Sequence, residues 1–281
     1  MENLLKKSDG FNRLKSCRYG VTLYNKNDTY VGASFDNYGE FSEKEAEIFR
    51  RLCGPGDIVV DIGANIGAHT LALADCVGPD GFIFAFEPQR VVYQALCANV
   101  ALNSLQNVKC ENLALADMSG FTTLPALDYN LKNNYGGVGI VTPGISIGEK
   151  VQVMRLDRYF MFFEWPPIKF MKIDVEGSEK RVLLGAKEAI KTFKPLLYVE
   201  NDRPENSREL FELLESLDYI FYWHTPPLFN PDNFYGNSEN IFEGVCSFNL
   251  VCIPKTYSQI IDFIDIELYK VHNFDDHPLK K

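Results

Sequence analysis

From about residue 57 onward, apolar strand-like runs alternate with stretches of helical spacing, and this alternation constrains the fold of the 281-residue chain more than any other feature. The strand-like runs are DIVVDIG, FIFAFEP, VKCENLALAD, FMKIDVEG and PLLYVEND. Between them, apolar residues recur every three or four positions, as in NIGAHTLALADC and EKRVLLGAKEAIKTF. Strands that alternate with helices are typical of a parallel sheet covered by helices on both faces. The pattern therefore predicts an α/β fold.

Two regions depart from this rhythm. Residues 118–156 contain NNYGG and VTPGISIGE, which favour short strands and loops inserted above the sheet. Near the C-terminus, YIFYWHT and SFNLVCIP resemble a closing pair of strands, separated by a polar and aromatic insertion. We expect one domain over residues 46–281, with residues 1–45 as a cap segment packed against it.

Composition and charge exclude several classes of partner. A net charge of −10 argues against a broad nucleic-acid surface, and no run of 18 apolar residues predicts a membrane span. The N-terminal stretch MENLLKKSDGFNRLKS lacks the apolar block of a signal peptide. The seven cysteines form no CxxC or zinc-ligand spacing, which favours reduced, structural thiols. We therefore expect a cytoplasmic protein without a nucleic-acid or membrane partner.

The most specific motif is VVDIGANIGAHT, residues 59–70. A strand ends in Asp61, and Gly63 and Gly67 then frame a tight turn into a helix, where glycine lets the backbone approach a ligand closely. Glu87 ends the next strand, 20 residues after Gly67. A carboxylate at that place can accept hydrogen bonds from both hydroxyls of a ribose. The motif therefore predicts a nucleoside-containing ligand.

Three interpretations of this turn compete. It is an ordinary strand-turn-helix, a dinucleotide site, or a site for S-adenosylmethionine. Dinucleotide sites need GxGxxG, whereas this turn reads GxNxG, and Asp61 would repel a pyrophosphate. S-adenosylmethionine carries an ammonium, a sulfonium and no phosphate, so an acid at the first strand suits its amino-acid end. We favour S-adenosylmethionine as the cofactor.

A family resemblance extends this interpretation. The segments GDIVVDIGANIGAHTLALA, FAFEPQ, NLALAD and KIDVEGSEKRVLLGA resemble, in order and spacing, the FkbM family of S-adenosylmethionine-dependent methyltransferases over roughly residues 36–255. The resemblance implies a class I methyltransferase (Rossmann-like) fold, a three-layer sandwich with a mostly parallel seven-stranded sheet whose last strand is antiparallel. It also implies methyl transfer, in most members to hydroxyls of sugars, glycans or polyketides.

The resemblance assigns positions around the cofactor. The loop beneath the methionine part would consist of Asp61, Gly63, Ala64, Asn65 and Gly67. Glu87 would hold the ribose, Asp117 would lie beside the adenine amine, and Asp174 would face the methyl group. For Glu40, in YGEFSEKE, two alternatives stay open: contact with the amino-acid end of the cofactor, or a place at a solvated helix N-terminus. His69 is expected to pack rather than to catalyse.

The candidate catalytic residues, at the end of the site where the methyl group would be transferred, lie in KFMKIDVEG, residues 169–177. Lys172, Asp174 and Glu176 occupy alternate positions, which lie on one face of a strand. Ligands of open parallel sheets bind beyond the carboxyl ends of the strands, so these side chains are candidate catalytic residues. Lys172 either pairs with the acids or acts as a neutral catalytic lysine. Glu176 either stabilises the start of the next helix or takes part in the reaction.

Methyl transfer to an alcohol needs a positioned base or a metal that lowers the pKa of the hydroxyl. Asp174, Glu200 and Asn201 would suit Mg²⁺ or another divalent cation, or they would orient the acceptor by hydrogen bonds alone. His224, in YWHTPPLF, is a candidate base, with an aromatic-cluster histidine as the alternative. The insertion FNPDNFYGNSEN is rich in Asn, Tyr and Phe, which suits a carbohydrate acceptor or a well-packed loop.

We therefore expect an S-adenosylmethionine-dependent O-methyltransferase that acts on a hydroxyl of a sugar, a glycan or another small hydroxylated metabolite. The alternatives are an N- or carboxyl-methyltransferase and a non-catalytic module that binds the cofactor or a glycan. WPPIKF and HTPPLF resemble the Pro-Pro-aromatic motif of enzymes that methylate nucleic-acid bases, but they lack its leading Asn or Asp. Neither ends the fourth strand, which argues again against a nucleic-acid substrate.

Overall fold

The computed structural model describes residues 10–140, 148–161, 166–264, 268–274 and 277–280. Its strands are β1 (Asn12–Cys17), β2 (Gly20–Asn25), β3 (Ile58–Ile62), β4 (Phe82–Phe86), β5 (Val108–Glu111), β6 (Ala114–Leu115), β7 (Gly120–Pro125), β8 (Gly148–Met154), β9 (Ile168–Ile173), β10 (Leu196–Glu200), β11 (Tyr219–His224), β12 (Asn249–Pro254) and β13 (Tyr269–Lys270). Its α-helices are α1 (Val31–Tyr38), α2 (Glu43–Leu52), α3 (Ala68–Val77), α4 (Arg90–Leu102), α5 (Leu156–Phe160), α6 (Glu179–Gly185), α7 (Lys187–Phe193) and α8 (Pro204–Ser216). Two 3-10 segments, Lys255–Phe263 and Pro278–Lys280, follow β12.

The central sheet has the strand order β13-β11-β12-β10-β9-β3-β4-β5. The neighbours from β5 to β10 are parallel, and β12 is antiparallel to both β10 and β11. This confirms the predicted α/β fold with a mostly parallel sheet whose seventh long strand is antiparallel. Within the described residues, the two-residue β13 adds an eighth strand at the edge.

The alternation of side chains along each strand divides the core into two layers. In β9, Met171 and Ile173 pack into the cluster that includes α6 and α8, whereas Phe170 packs into the cluster that includes α2 and α3. Successive side chains of a strand point to opposite faces, so a strand between two helical layers is apolar on both. Lys172 shares the face of Phe170 and is only 2% exposed. A lysine therefore stands where the pattern calls for an apolar residue.

Three predicted elements have different bounds. β9 ends at Ile173, so Asp174 and Glu176 do not continue a strand face, and Glu176 has a left-handed φ of 55°. VKCENLALAD divides into β5 of the main sheet and β6, which joins β7 and β8 in a separate three-stranded sheet. The single helix predicted after β9 divides at Ala186 into α6 and α7. Residues 141–147, within the predicted insertion, lie outside the described residues.

The N-terminal segment packs against the outer face of α4 through a β1–β2 hairpin. The buried Asn99 side chain accepts from the Leu23 N–H at 2.6 Å and donates to the carbonyls of Leu23 and Ile66 at 3.0 and 2.7 Å. One amide thus joins the hairpin to the turn that follows β3. The division into a cap of residues 1–45 and a domain of residues 46–281 remains a prediction.

Membrane insertion has no support among the described helices. None of them combines the length and apolar character that a bilayer crossing requires.

Gly63 is the glycine whose replacement we expect to be most damaging. Its φ is 80°, and an added Cβ would lie 1.7 Å from the Asp174 carbonyl oxygen. Gly56 has a similar φ of 84°, but no described atom lies within 4 Å of its added Cβ. We expect Gly63→Ala to lower the free energy of unfolding by about 3 kcal/mol or more and Gly56→Ala by about 1 kcal/mol. Urea unfolding measures both, and equal losses would contradict a steric origin.

Candidate active site

A cavity of about 340 Å³ opens beyond the carboxyl ends of β3, β4, β9 and β10. The residues after these strands form its floor, and Phe41 and Leu228 belong to its covering wall. Helix α3 contributes Ala68 and His69 from its first turn. The cavity lies where ligands of open parallel sheets are expected to bind.

Glu87 defines one end of the cavity. Its carboxylate is 5% exposed and accepts hydrogen bonds from the backbone N–H groups of Gln89 and Asn65 at 2.8 and 2.9 Å. Burial raises the pKa of Glu87 to about 7, and Asp61 adds to the shift. The apolar residues Leu113 and Leu115 line the cavity at this end. A fixed carboxylate beside an apolar wall suits the ribose and base of a nucleoside.

The turn after β3 reaches the cavity with only part of the predicted loop. Gly63, Ala64 and Asn65 line the cavity, and Asn65 adopts a left-handed φ of 50°. Gly67 is not among the described lining residues; it precedes α3 with a φ of 89°, and its added Cβ would lie 2.8 Å from Leu96. Asp61 is also absent from the described lining, because it lies within β3 and is fully buried. Gly67 and Asp61 thus lie outside the described lining, and their predicted contacts with a ligand stay a prediction.

Asp61, Lys172 and Asp174 form an ion cluster that extends from the core to the cavity, whose lining includes Lys172 and Asp174. Lys172 Nζ lies 3.1 Å from Asp174 Oδ2 and 3.5 Å from Asp61 Oδ1, and the Thr70 hydroxyl donates to Asp61 Oδ2 at 2.6 Å. Burial would lower the pKa of Lys172, but Asp174 and Asp61 outweigh it and raise the pKa. Lys172 is therefore paired with both acids, which favours the structural alternative over a neutral catalytic lysine.

A cluster of carboxylates occupies the opposite end of the cavity, after β9 and β10. Asp174, Glu176 and Glu200 each offer an oxygen within 4.8 Å of the others. The Glu176 N–H donates to Glu200 Oε2 at 3.3 Å, and Arg203 Nη2 lies 2.6 Å from Glu176 Oε2. Asp202 lines the same end of the cavity.

The protonation of these acids is unequal. Burial raises the pKa of Glu176 to about 8, with Asp174 adding to the shift. Burial, Asp174 and Glu176 raise the pKa of Glu200 well above its ordinary value. Burial acts in the same direction on Asp174, but Lys172 outweighs it and lowers the pKa. At neutral pH an ionised Asp174 therefore lies beside two acids that hold protons more tightly than usual.

The predicted metal ligand set does not come together. Asn201 is 4% exposed, its Nδ2 donates to the Ser207 hydroxyl at 2.8 Å, and it is not among the described cavity residues. The Asn201 N–H donates to the Phe248 carbonyl at 2.7 Å, and the side chain of Asn201 contacts Ser207 of α8. Asp174 and Glu200 do converge, with Glu176 as the third acid.

His224 and Asp117 also lie away from the cavity. His224 is 4% exposed, its Nδ1 lies 2.8 Å from the Tyr198 hydroxyl, and burial lowers its pKa to about 4. The contact with Tyr198 favours the aromatic-cluster alternative over a catalytic base. Asp117 lies 2.8 Å from Arg181 of α6 and is not among the described residues that line the cavity, although Leu113, Ala114 and Leu115 shortly before it are. Its predicted place beside an adenine stays a prediction.

Glu40 fits neither of the two alternatives. It is 3% exposed and its carboxylate binds Arg18 Nε at 2.6 Å, Asn230 Nδ2 at 2.8 Å and the Phe234 N–H at 2.8 Å. It therefore fastens the N-terminal segment to the insertion between β11 and β12. It is not among the described residues that line the cavity.

Several polar and aromatic side chains of that insertion form hydrogen bonds and ring contacts with other residues of the chain. Asn233 Nδ2 donates to the carbonyls of Asn230 and Asn237 at 3.0 and 2.7 Å. Phe229 and Phe242 pack on Tyr38, with ring centroids 5.3 and 5.9 Å apart. These contacts favour the well-packed loop over a carbohydrate platform.

Glu45 is a cavity residue that the sequence interpretation missed. It belongs to α2 and is 4% exposed, and its Oε1 accepts from the hydroxyls of Ser42 and Ser247 at 2.7 Å each. The Ser42-x-x-Glu45 spacing is that of a capping box, which was a signal for the helix start. The bond to Ser247 spans 202 residues, so no local pattern indicated it.

His69 packs as expected and also borders the cavity. Its ring lies 5.6 Å from Phe41 and 5.2 Å from Phe49, and burial lowers its pKa to about 3. Asn249 likewise lines the cavity and is 4% exposed. It pairs across the sheet with Glu200, and no local signal in the sequence indicated it.

Comparison with known proteins identifies one family. The model of the family described as "Methyltransferase FkbM domain" matches residues 61–221. Over 187 residues, the chain is 30% identical to the 31-O-demethyl-FK506 methyltransferase FkbM of Streptomyces tacrolimicus, covering 54% of this chain and 71% of that protein. Over 185 residues, it is 32% identical to methyltransferase sdnD of Sordaria araneosa, covering 56% and 70%.

Among solved structures, the methyltransferase FkbM from Methylobacillus flagellatus KT aligns with a TM-score of 0.48 and 17% sequence identity. The alignment covers 74% of this chain and 50% of that chain, so this chain spans half of that protein's length.

We expect the carboxylate cluster to lower the free energy of unfolding, and to lower it more at high pH than at low pH. Because Glu200 binds its proton more tightly in the folded state, the stability of the native protein falls as pH rises above the ordinary carboxyl pKa. We expect Glu200→Gln to raise the melting temperature by about 3 °C at pH 8 and by less at pH 5. Calorimetry at both pH values measures this. Exposed Glu47→Gln is the control, and a larger gain at pH 5 would contradict the assignment.

Proposed function

The chain belongs to the FkbM methyltransferase family, and from this premise we propose that it transfers the methyl group of S-adenosylmethionine to a hydroxyl group of a small molecule. Its sheet has the topology of a class I methyltransferase. The observation that carries the proposal is the single cavity that joins Glu87 to the acids after β9 and β10. A nucleoside end and a chemical end therefore share one enclosed space.

The charge of the cavity supports this cofactor. Among the described lining residues one is a lysine, Lys172, and six are carboxylates: Glu45, Glu87, Asp174, Glu176, Glu200 and Asp202. Such a cavity repels the phosphates of a dinucleotide. It attracts a ligand that carries a sulfonium and an ammonium. The same charges disfavour an acceptor that is itself an acid.

The hydroxyl acceptor has support from a relative. The name of the Streptomyces tacrolimicus protein describes methylation of an O-demethyl compound, which places the new methyl group on oxygen in that protein. We propose the same acceptor class here, without restriction to a sugar, because the insertion uses its amides and aromatic rings internally.

The residues of the cavity would prepare the acceptor for an in-line displacement. When bound, the cofactor supplies a methyl group on a positively charged sulfur, which is a strong donor. Asp174, which Lys172 keeps ionised, would accept the hydroxyl proton of the acceptor. Glu200, whose pKa burial and neighbouring acids raise, would orient the acceptor by a hydrogen bond. Arg203 holds Glu176 at one side.

A divalent cation fits this donor set poorly. Two of the three acids that converge already have a cationic partner: Asp174 has Lys172 at 3.1 Å, and Glu176 has Arg203 at 2.6 Å. The amide of Asn201 is directed elsewhere. A metal ion would have to displace or face both cations, so the proposed mechanism assigns the proton transfer to carboxylates alone.

N-methylation is a second candidate, favoured by the same carboxylates, because they would attract a protonated amine. Carboxyl methylation is disfavoured, since an anionic acceptor would meet the acid cluster. Family membership argues against a non-catalytic module.

Binding of S-adenosylhomocysteine tests the cofactor assignment. We expect calorimetric titration to show binding to the wild-type protein and about tenfold weaker binding to Glu87→Gln, because one acceptor for the ribose hydroxyls is lost. Asp117→Asn is the matched control and should bind as the wild type does, since Asp117 is paired with Arg181 outside the cavity. A folded wild-type protein that does not bind would refute the proposed cofactor.

Turnover in the presence of a chelator tests the mechanism. With S-adenosylmethionine and a panel of hydroxylated small molecules, we expect mass spectrometry to detect a product methylated on oxygen, at a rate that EDTA leaves unchanged. Loss of activity in EDTA with recovery in Mg²⁺ would contradict the carboxylate base. A product methylated on nitrogen would favour the second candidate.

A further inference from the structure

We propose that Glu45 binds the α-ammonium group of the cofactor's methionine moiety, an inference that rests on the proposed function and assigns a residue to the amino-acid end of the ligand. Glu40, in the same YGEFSEKE segment, had been the candidate for this contact, but it is paired with Arg18 away from the cavity. Glu45 faces the cavity from the first turn of α2.

Glu45 is a buried carboxylate without a basic partner of its own. It is 4% exposed, and among the described residues no lysine or arginine forms an ion pair with it. Lys172 attracts it electrostatically, but its ion pairs are with Asp61 and Asp174. Buried charges in proteins are normally paired. A buried, unpaired acid on a cavity wall therefore indicates that the ligand brings the cation.

The carboxylate of Glu45 is held in position before any ligand binds. Two hydroxyls, from Ser42 and Ser247, donate to the same oxygen at 2.7 Å. These donors fix the side chain without neutralising its charge. Phe41 and Phe49, four residues to either side, both pack on His69. This contact holds Glu45 beside the start of α3.

The other acids of the cavity have different partners. Glu87 accepts two backbone N–H groups at the nucleoside end, and Asp174 is paired with Lys172. Glu176 is paired with Arg203. The start of α3, which also borders the cavity, has the positive dipole end that suits the carboxylate of the same amino-acid group. Asp202 lies 3.6 Å from Arg203, so Glu45 and Glu200 are the lining acids without an ion pair among the described residues. Of these two, Glu45 is the one held beside the start of α3, and it is therefore the acid we assign to the ammonium.

Two adenosine ligands that differ in the amino-acid part distinguish this role from a structural one. S-adenosylhomocysteine carries the ammonium, whereas 5′-methylthioadenosine keeps the nucleoside and sulfur but lacks the amino-acid group. Calorimetric titration of wild-type protein and Glu45→Gln with both ligands separates the two contacts. Gln keeps the size of the side chain and an oxygen for the two serines. Glu47→Gln, on the same helix but outside the described cavity lining and paired with Lys44, is the matched control.

We expect Glu45→Gln to weaken binding of S-adenosylhomocysteine by about tenfold to about a hundredfold and to leave binding of 5′-methylthioadenosine within about twofold. Glu47→Gln should change neither. Without ligand, Glu45→Gln should melt no lower than the wild type, because it removes an uncompensated buried charge.

Three outcomes would overturn the inference. Unchanged binding of S-adenosylhomocysteine to Glu45→Gln would remove Glu45 from the ligand. Equal weakening of both ligands would show that Glu45 shapes the cavity rather than binds the ammonium. In both cases the wild-type protein still binds S-adenosylhomocysteine and the proposed function stands. Absence of binding to the wild-type protein would overturn the proposed function and this inference together.

Discussion

The site depends on one buried cation, Lys172, which lies between two acids in the centre of the sheet. Asp61, Lys172 and Tyr198 are direct neighbours across β3, β9 and β10, on the face that packs against α2 and α3. Lys172 neutralises Asp61, which is fully buried, and continues to Asp174 at the cavity floor. Without it, the fully buried Asp61 would remain as an unpaired carboxylate in a low-dielectric core, which is strongly destabilising.

The same ion cluster explains the electrostatic character of the cavity. Lys172 is shared between Asp61 and Asp174, and among the described residues no lysine or arginine forms an ion pair with Glu45 or Glu200. Burial and the neighbouring acids Asp174 and Glu176 raise the pKa of Glu200 above its ordinary value. Sites that retain uncompensated charge lose stability relative to what the fold could reach, and gain it back when a complementary ligand binds. The cavity is therefore arranged for cationic ligand groups.

Glu40 and Glu45 lie five residues apart in the covering wall and have different roles. Glu40 is fully engaged with Arg18 and the insertion between β11 and β12, so it holds two distant segments together. Glu45 touches the same insertion through Ser247 but turns its carboxylate to the cavity. The N-terminal segment and the insertion thus close the cavity jointly, although almost 200 residues separate them in the chain.

The sequence by itself determined the α/β architecture, the tight turn at Gly63 and the acid at Glu87. These features follow from local rules: periodicity, the conformational freedom of glycine, and the place of a residue at the end of a strand. Glu87 also has its partners nearby, since the N–H group of Gln89 is two residues away.

Only the tertiary structure decided which other polar residues face the ligand. Asp117, Asn201 and His224 follow or end strands, as the candidates should, yet each side chain points to a partner on another element. Glu45 lines the cavity, where its carboxylate accepts a hydrogen bond from Ser247, 202 residues later in the chain. The direction of a side chain beyond a strand end is set by where the chain turns next and by what packs there. Such contacts are non-local, and sequence spacing carries no record of them.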